Sequence, residues 1–224
     1  MTKTKKLLII GDSAFAEMAY ECFTHDSEYK VVGFAVESHY LIKKELFGLP
    51  IVPFEQIEEH FNPSEIEFYA ALVYTQLNRL RTRLYQAAKV KGYRPASYIS
   101  SRAFVWRNAV VGEHCFVFED NTIQPFVRIG NNVVLWSGNH IGHHSVIQDH
   151  CFIASHVVIS GFCNIGSNTF MGVNATLGNN VNIGEDNWIG PSVTLVKNTE
   201  PNLIFKIEQP EPAKVSARQF LKVL

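Results

Sequence analysis

Six of the nine histidines in this 224-residue chain lie between positions 114 and 156. They are His114, His140, His143, His144, His150 and His156. Imidazole is a common metal ligand, and it is also the side chain most often used for general acid–base catalysis near neutral pH. The histidines could therefore bind a metal or transfer protons, and their spacing indicates which of the two is possible.

The residues around the histidines repeat with a period of six. Every sixth residue from Val105 to Leu195 is aliphatic or Met, sixteen in succession, and a small or medium side chain or an Asn stands two residues before each. A hexapeptide period predicts a β-helix whose short strands bury one face against a continuous core. Three hexads close a triangular coil of eighteen residues, so the repeats predict about five coils and a prism ~25 Å tall.

This geometry decides which side chains can meet, because residues eighteen apart stack on one corner of the prism. His144, His150 and His156 are six apart and fall on three corners, so they cannot share one ion within a chain. A metal site that bridges subunits stays open. Gly161, in contrast, lies one coil above His143 on the same corner, and we expect its N–H to be accessible beside the imidazole. A general base next to an oxyanion donor is the minimum needed for acyl transfer.

The chain before the repeats predicts a small parallel α/β domain. Strand patterns at Lys5–Ile10 and Tyr29–Val36 alternate with helical patterns, the strongest of which is Asn78–Gly92. The turn after the first strand, Gly11–Ala16, presents a helix N-terminus to an anion, although its glycine spacing is a weak dinucleotide fingerprint. A tight turn that binds nothing is the competing interpretation. Glu37 ends the second strand, where a ribose or a base is commonly recognised.

We place an α/β domain at residues 1–98, the β-helix at 99–198 and a tail at 199–224. The net charge of −1 gives no electrostatic footprint for nucleic acid. No apolar run or signal peptide is apparent, so we expect no membrane partner and a cytoplasmic protein. Three of the four cysteines occupy the small inward position of the repeat and are expected to be buried apolar residues. No insertion interrupts the repeats to cover a pocket, which favours clefts between the prisms of a homotrimer.

Four segments carry a resemblance to a known family: KKLLIIGDSAFAEMA, VVGFAVE, NRLRTRLYQAAKVKGY and LWSGNHIGHHSVI. With the hexads, they make the chain similar to bacterial nucleotide-sugar acyltransferases that join a Rossmann-like domain to a left-handed β-helix. Members of that family acylate precursors of bacillosamine, perosamine and viosamine, or O-acetylate sialic acid. The left-handed sense of the β-helix is implied by the resemblance and not by the period.

The resemblance also implies three sets of site residues. The catalytic set is His143 as the base, His144 as the neighbour that is often an acid, and Gly161 as the amide facing the thioester oxygen. The nucleotide-sugar set is Ser13, Ala14, Phe15 and Glu37, to which we add Gly11 from the turn, and Asn139 and His140 from the strand before His143. The acyl-CoA set is Gly161, Gly172, Val173, Gly190 and Pro191, to which we add Lys197 as a further candidate.

The expected activity is transfer of an acyl group, most simply acetyl from acetyl-CoA, to the amino group of a nucleotide-linked sugar, without a metal. Such a reaction serves the biosynthesis of lipopolysaccharide O-antigen. O-acetylation of a sugar hydroxyl at the same site is the first alternative. A metal-dependent hydratase resembling the gamma-type carbonic anhydrases and a non-catalytic sensor of nucleotide sugars are the others.

Overall fold

The computed structural model describes residues 2–223. Its first part is a six-stranded sheet with the order β3-β4-β2-β1-β5-β6, in which every pair is parallel except the β3–β4 hairpin. The strands are β1 Lys5–Ile10, β2 Tyr29–Val36, β3 Glu45–Leu46, β4 Leu49–Pro53, β5 Ile66–Ala70 and β6 Arg94–Pro95. The helices are α1 Ala14–His25, α2 Ile57–His60 and α3 Arg79–Val90, with 3-10 turns at Ser38–Tyr40 and Phe54–Gln56. The predicted α/β architecture is confirmed.

The second part is a three-sided prism of two-residue parallel strands. The first face contains Tyr98–Ile99, Phe116–Val117, Val134–Leu135, Phe152–Ile153, Phe170–Met171, Trp188–Ile189 and Ile204–Phe205. The second face contains Phe104–Val105, Thr122–Ile123, His140–Ile141, Val158–Ile159, Thr176–Leu177 and Thr194–Leu195. The third face contains Val110–Val111, Arg128–Ile129, Val146–Ile147, Asn164–Ile165 and Asn182–Ile183. Between residues 98 and 195, neighbouring strands pair residues eighteen apart, as His140 pairs with Val158.

The corners explain why polar residues recur at one position of the hexad. Every sixth residue from His114 to Ser192 has φ between +54° and +66°, apart from Gly138 at +76°. Asn, Asp and His tolerate this left-handed conformation better than other residues with a side chain, and they fill most of these positions. Phe126 and Phe162 are exceptions, since bulky residues rarely adopt a positive φ. His144 lies between them in this series.

The β-helix extends past the boundary predicted for the tail. Ile204–Phe205 pairs with Trp188–Ile189, so the predicted tail 199–224 begins inside the last coil. The period fails there because this coil is two residues shorter than the others. Asn187 closes it by accepting the Leu203 N–H at 2.7 Å and donating to Thr199 Oγ1 at 2.9 Å. The last described element is a short helix, α4, Ala217–Phe220.

The outer surface of the first face is the boundary between the two domains. Its outward residues are aromatic at Phe116, Phe152 and Phe170, and all three are buried in one cluster with Phe15 and Phe23 of α1. Phe15 meets Phe116 edge-on at a centroid distance of 5.4 Å. This interface fixes the α/β domain against one face of the prism. Within residues 2–223, no helix is long and apolar enough to cross a membrane.

Candidate functional site

His143 lies on the corner that follows the strand His140–Ile141, and its side chain is exposed. Its N–H donates to Gln124 Oε1 at 2.9 Å, which anchors the backbone of the corner. Gly161 lies against the imidazole: a Cβ at this glycine would be 2.9, 3.0 and 3.3 Å from the Cε1, Nε2 and Nδ1 atoms of the ring. The two residues therefore meet as their spacing predicted, and only glycine leaves room for the ring.

The N–H of Gly161 is not accessible in this structure, which corrects the expectation of a free oxyanion donor. It donates to Asn179 Oδ1 at 3.0 Å, one coil higher on the same corner. Asn179 was not anticipated, although its position eighteen residues after Gly161 is a signal the sequence carries. Asn179 is exposed, and its carboxamide oxygen occupies the place at which an acyl oxygen would accept a hydrogen bond from Gly161.

His144 is exposed beside His143, and their Nδ1 atoms are 3.1 Å apart. The ring of His144 is stacked between Phe126, at a centroid distance of 4.5 Å, and Phe162, at 4.8 Å. Neither phenylalanine was anticipated, although both stand eighteen residues from His144. The corner therefore presents two adjacent imidazoles and two exposed phenyl rings.

The two residues that precede this corner differ in accessibility. His140 occupies an outward position on the second face and is half-buried. Asn139 is buried inside the prism, where its Oδ1 accepts the Val157 N–H at 2.8 Å and its Nδ2 donates to the carbonyl of Trp136. The assignment of Asn139 to substrate binding is wrong, because an inward asparagine that satisfies the backbone of its own coil cannot reach a ligand.

A cavity of about 440 Å³, the sheet-edge cavity, opens at the carboxyl ends of β1 and β2. Gly11, Asp12 and Ser13 form one wall, and Glu37 lies at another. Ser13 is the N-cap residue of α1, but its hydroxyl makes no capping hydrogen bond, and Ala14 next to it is exposed. The side chain of Phe15 is buried at the domain interface, so only its backbone belongs to the turn. Its place in the nucleotide-sugar set therefore stays a prediction that concerns its backbone alone.

Glu37 is held in place by Arg83, whose Nη1 and Nη2 donate to its carboxylate at 2.8 and 2.9 Å. This hydrogen bonding lowers the pKa of Glu37 and raises that of Arg83. Lys43 contacts the turn between β1 and α1, because its Nζ donates to the carbonyl of Asp12 at 3.2 Å. Arg83 and Lys43 were not anticipated, since the sequence gives no spacing rule that links them to the turn or to Glu37.

A second cavity of about 320 Å³, the aromatic cavity, lies between the loop after β5 and the first face of the prism. Tyr74, Trp136, Phe152 and Phe170 contribute aromatic walls. Of the predicted acyl-CoA residues, Gly172, Val173 and Pro191 also line this cavity. Gly190 is buried at the same corner.

The corner of Gly172 and Gly190 joins the first and second faces, whereas the corner of His143 joins the second and third. One chain therefore does not bring these predicted residues together. Lys197 is different, because it is exposed and lies fifty-four residues, or three coils, above His143 on the same corner.

The cysteines of the prism have no role in the site. Cys115, Cys151 and Cys163 are buried as predicted, and burial raises the pKa of Cys115 and of Cys151 to about 12. A thiol in this environment stays protonated and is a poor nucleophile. In the described part of the chain, no three His, Cys, Asp or Glu residues are grouped so that they could hold a metal ion.

Comparison with known proteins supports the hexapeptide assignment. Residues 126–161 match the family described as bacterial transferase hexapeptide (six repeats). No curated protein matches the chain in sequence. Residues 126–161 include His143, His144 and Gly161, so the candidate catalytic corner lies inside the matched repeats.

Solved structures match nearly the whole chain. The acetyltransferase domain of PglB from Neisseria gonorrhoeae is 17% identical over 90% of this chain and 96% of that chain, with a TM-score of 0.80. A mutant of perosamine N-acetyltransferase from Caulobacter crescentus, solved with CoA and GDP-perosamine, is 21% identical over 92% and 97%, with a TM-score of 0.77. WeeI from Acinetobacter baumannii is 16% identical over 90% and 96%, with a TM-score of 0.69. The chain therefore has the fold of these proteins, an α/β domain followed by a left-handed parallel β-helix.

Proposed function

We propose that the protein is an acyl-CoA-dependent N-acyltransferase that acetylates the amino group of a nucleotide-linked sugar. The observation that carries this proposal is the His143 imidazole against Gly161, on an uncovered corner of a hexapeptide prism. The same chain has a nucleotide-sized cavity at the carboxyl edge of a parallel sheet, which is where such folds bind ligands. The Caulobacter protein with this fold was solved with CoA and GDP-perosamine, which supports both substrate classes.

The nucleotide diphosphate would bind in the sheet-edge cavity. The free Ser13 hydroxyl and the N-terminus of α1 favour an anion there, and Lys43 adds a positive charge beside the turn. Glu37, fixed by Arg83, would accept hydrogen bonds from the ribose or the base. The sugar would then extend out of the cavity towards a catalytic corner, where His140 and His143 would lie beside it.

The transfer step uses His143 as the general base. As the sugar amine attacks the thioester carbonyl carbon, Nε2 of His143 accepts the proton that the nitrogen loses. The carbonyl oxygen becomes an oxyanion, which would accept the Gly161 N–H after displacing Asn179 Oδ1. Collapse of the tetrahedral intermediate breaks the carbon–sulfur bond, and the proton held by His143 passes to the departing CoA sulfur. The products are the N-acetylated sugar and the free CoA thiol.

Two subunits are needed for this site. His143 and Lys197 share one corner, while Gly172, Val173 and Pro191 line the aromatic cavity on another. In a homotrimer, the cleft between neighbouring prisms would bring the His143 corner of one subunit against the Gly172 corner of the next. Acetyl-CoA and sugar nucleotides as substrates would place the reaction in the cytoplasm, with lipopolysaccharide O-antigen biosynthesis as its setting.

The decisive assay supplies acetyl-CoA together with UDP-, dTDP- or GDP-linked 4-amino sugars and measures the release of free CoA thiol. Matched sugars with a hydroxyl in place of the amine separate N-acylation from O-acylation. We expect transfer to at least one amino sugar and none to its hydroxy counterpart. If the protein transfers acetyl only to hydroxyls, O-acetylation replaces this proposal, and if no sugar in the panel accepts acetyl, the proposed activity fails.

A further inference from the structure

The ring of His144 is held in one plane by its neighbours. Its backbone has φ of +60°, and Phe126 and Phe162 share this left-handed conformation one coil below and one coil above. The interplanar angles of His144 with these two rings are 26° and 18°, so all three rings are nearly parallel. Phe126 and Phe162 remain 55% and 53% exposed, so the stack is a surface feature and not part of the core. Its structural effect is to fix the plane of the His144 ring.

The fixed ring directs Nδ1 at the predicted base. The Nδ1 atoms of His144 and His143 are 3.1 Å apart, and the two rings are perpendicular at 88°. Phe162 also meets His143 at 88°, with a centroid distance of 5.0 Å, so it restrains both imidazoles. Within residues 2–223, no carboxylate is hydrogen-bonded to either ring, and the contact between the two Nδ1 atoms is the only side-chain hydrogen bond that orients His143.

Two neutral imidazoles can form this hydrogen bond in only two ways. When Nδ1 of His143 carries the proton and Nδ1 of His144 accepts it, Nε2 of His143 has a free lone pair and can act as a base. In the reverse arrangement Nε2 of His143 carries the proton and cannot accept another. The identity of the donor therefore decides whether His143 is competent.

We propose that His144 is a positioning residue that accepts the Nδ1–H of His143 and so holds the base in its competent tautomer. This inference rests on the proposed acyl transfer, in which His143 accepts a proton from the amine. Once that proton has bound, the hydrogen bond becomes one from an imidazolium to a neutral nitrogen, and charge-assisted hydrogen bonds are stronger than neutral ones. A neutral imidazole clamped by two phenyl rings thus does what a carboxylate would do, without placing a negative charge on the corner.

A pair of variants separates the hydrogen bond from the stack. His144→Phe keeps a three-ring stack but has no acceptor, and phenylalanine is accommodated at the equivalent positions 126 and 162. His144→Asn keeps an acceptor oxygen near the place of Nδ1 and suits the positive φ, but it abolishes the stack. We expect His144→Phe to lower kcat by about 10- to 100-fold while KM for acetyl-CoA stays within about 2-fold. His144→Asn should retain most of the kcat that His144→Phe loses.

Nitrogen chemical shifts of the protein labelled with ¹⁵N in its histidine rings provide a readout that does not depend on turnover. The signals of His143 are identified by their loss in His143→Asn. We expect the Nδ1–H tautomer of His143 in the wild type and in His144→Asn, and a shift towards the Nε2–H tautomer in His144→Phe. Wild-type kcat in His144→Phe, an equal loss in both variants, or a His143 tautomer that is unchanged in His144→Phe would overturn the inference. If the wild type transfers acetyl to no sugar, the proposed function fails, but the tautomer measurement still decides the role of His144.

Discussion

The guanidinium of Arg81 donates from Nε to Oδ1 of Asn132 at 3.0 Å, across the boundary between α3 and the prism. Arg81 is completely buried, and burial lowers its pKa to about 10. Its other hydrogen bonds go to backbone carbonyls at 3.2 to 3.5 Å, those of Leu72, Asn132, His150 and Cys151. A buried arginine whose partners are an amide and carbonyls thus joins the helix beside the sheet-edge cavity to the prism.

Replacement of Arg81 by Met should destabilise the protein by about 3 kcal/mol, because several buried acceptors would lose their donors. Arg83→Met on the same helix is the matched control. Arg83 is exposed and its ion pair with Glu37 lies at the surface, so its loss should cost at most about 1 kcal/mol. Urea unfolding of both variants measures the difference. Equal losses of stability would show that the interdomain hydrogen bonds of Arg81 contribute little.

His114 should make the protein sensitive to acid. Its Nε2 accepts the Ala70 N–H at 2.8 Å, and burial lowers its pKa to about 3, so it is neutral in the folded protein. The unfolded chain, with a histidine pKa of about 6.5, binds a proton that the folded protein does not. Stability should therefore fall as the pH drops from about 6.5 towards 3, by at most about 1.4 kcal/mol per pH unit.

His114→Asn tests this linkage, since Asn tolerates the φ of +57° at this position. Between about pH 7.5 and 5, the wild type should lose about 2 kcal/mol more of its unfolding free energy than the variant. The pKa of His150 is also lowered, first by burial, and this residue is present in both proteins. Parallel stability curves for the two proteins would contradict the assignment of acid sensitivity to His114.

The fold was predictable from the sequence because one face of every two-residue strand is buried. Burial of that face explains why an apolar residue recurs at every sixth position. The same period places Gly161 one coil above His143, and it places Asn139 inside the prism. The error for Asn139 came from grouping it with its neighbour His140 as a substrate-binding residue although its position is inward. The pairing of Arg83 with Glu37 could not be predicted, because it depends on how α3 packs beside the end of β2 and not on a repeat.

Gly161→Ala should abolish the proposed acyl transfer while leaving the protein folded. The added Cβ would come within 2.9 to 3.3 Å of the His143 ring, so the imidazole must move. A displaced base should lower kcat by about 10²- to 10³-fold. Gly178→Ala is the control on the same edge of the prism, because its Cβ would meet Val196 at an ordinary distance of 3.5 Å. Normal turnover in Gly161→Ala would show that the glycine is not needed beside the base.

Lys43→Ala should weaken the binding of nucleoside diphosphates more than that of nucleosides, because the ammonium lies beside the turn at Asp12. We expect the Kd for UDP, dTDP or GDP, whichever binds, to rise about 10-fold, which corresponds to about 1.4 kcal/mol. The Kd for the corresponding nucleoside should change little. Calorimetry measures both, with exposed Lys44→Ala as the control. An equal effect on diphosphate and nucleoside would place Lys43 away from the phosphates.

The most direct test of the catalytic assignment is the turnover of His143→Ala with acetyl-CoA and the best amino-sugar acceptor. His60→Ala is the control, since His60 is an exposed histidine of the α/β domain that lines neither cavity. We expect kcat of His143→Ala to fall by about 10²- to 10⁴-fold, with unfolding free energy within about 0.5 kcal/mol of the wild type. Turnover of His60→Ala should stay close to that of the wild type. Near-normal turnover in a folded His143→Ala protein would contradict the assignment of His143 as the base.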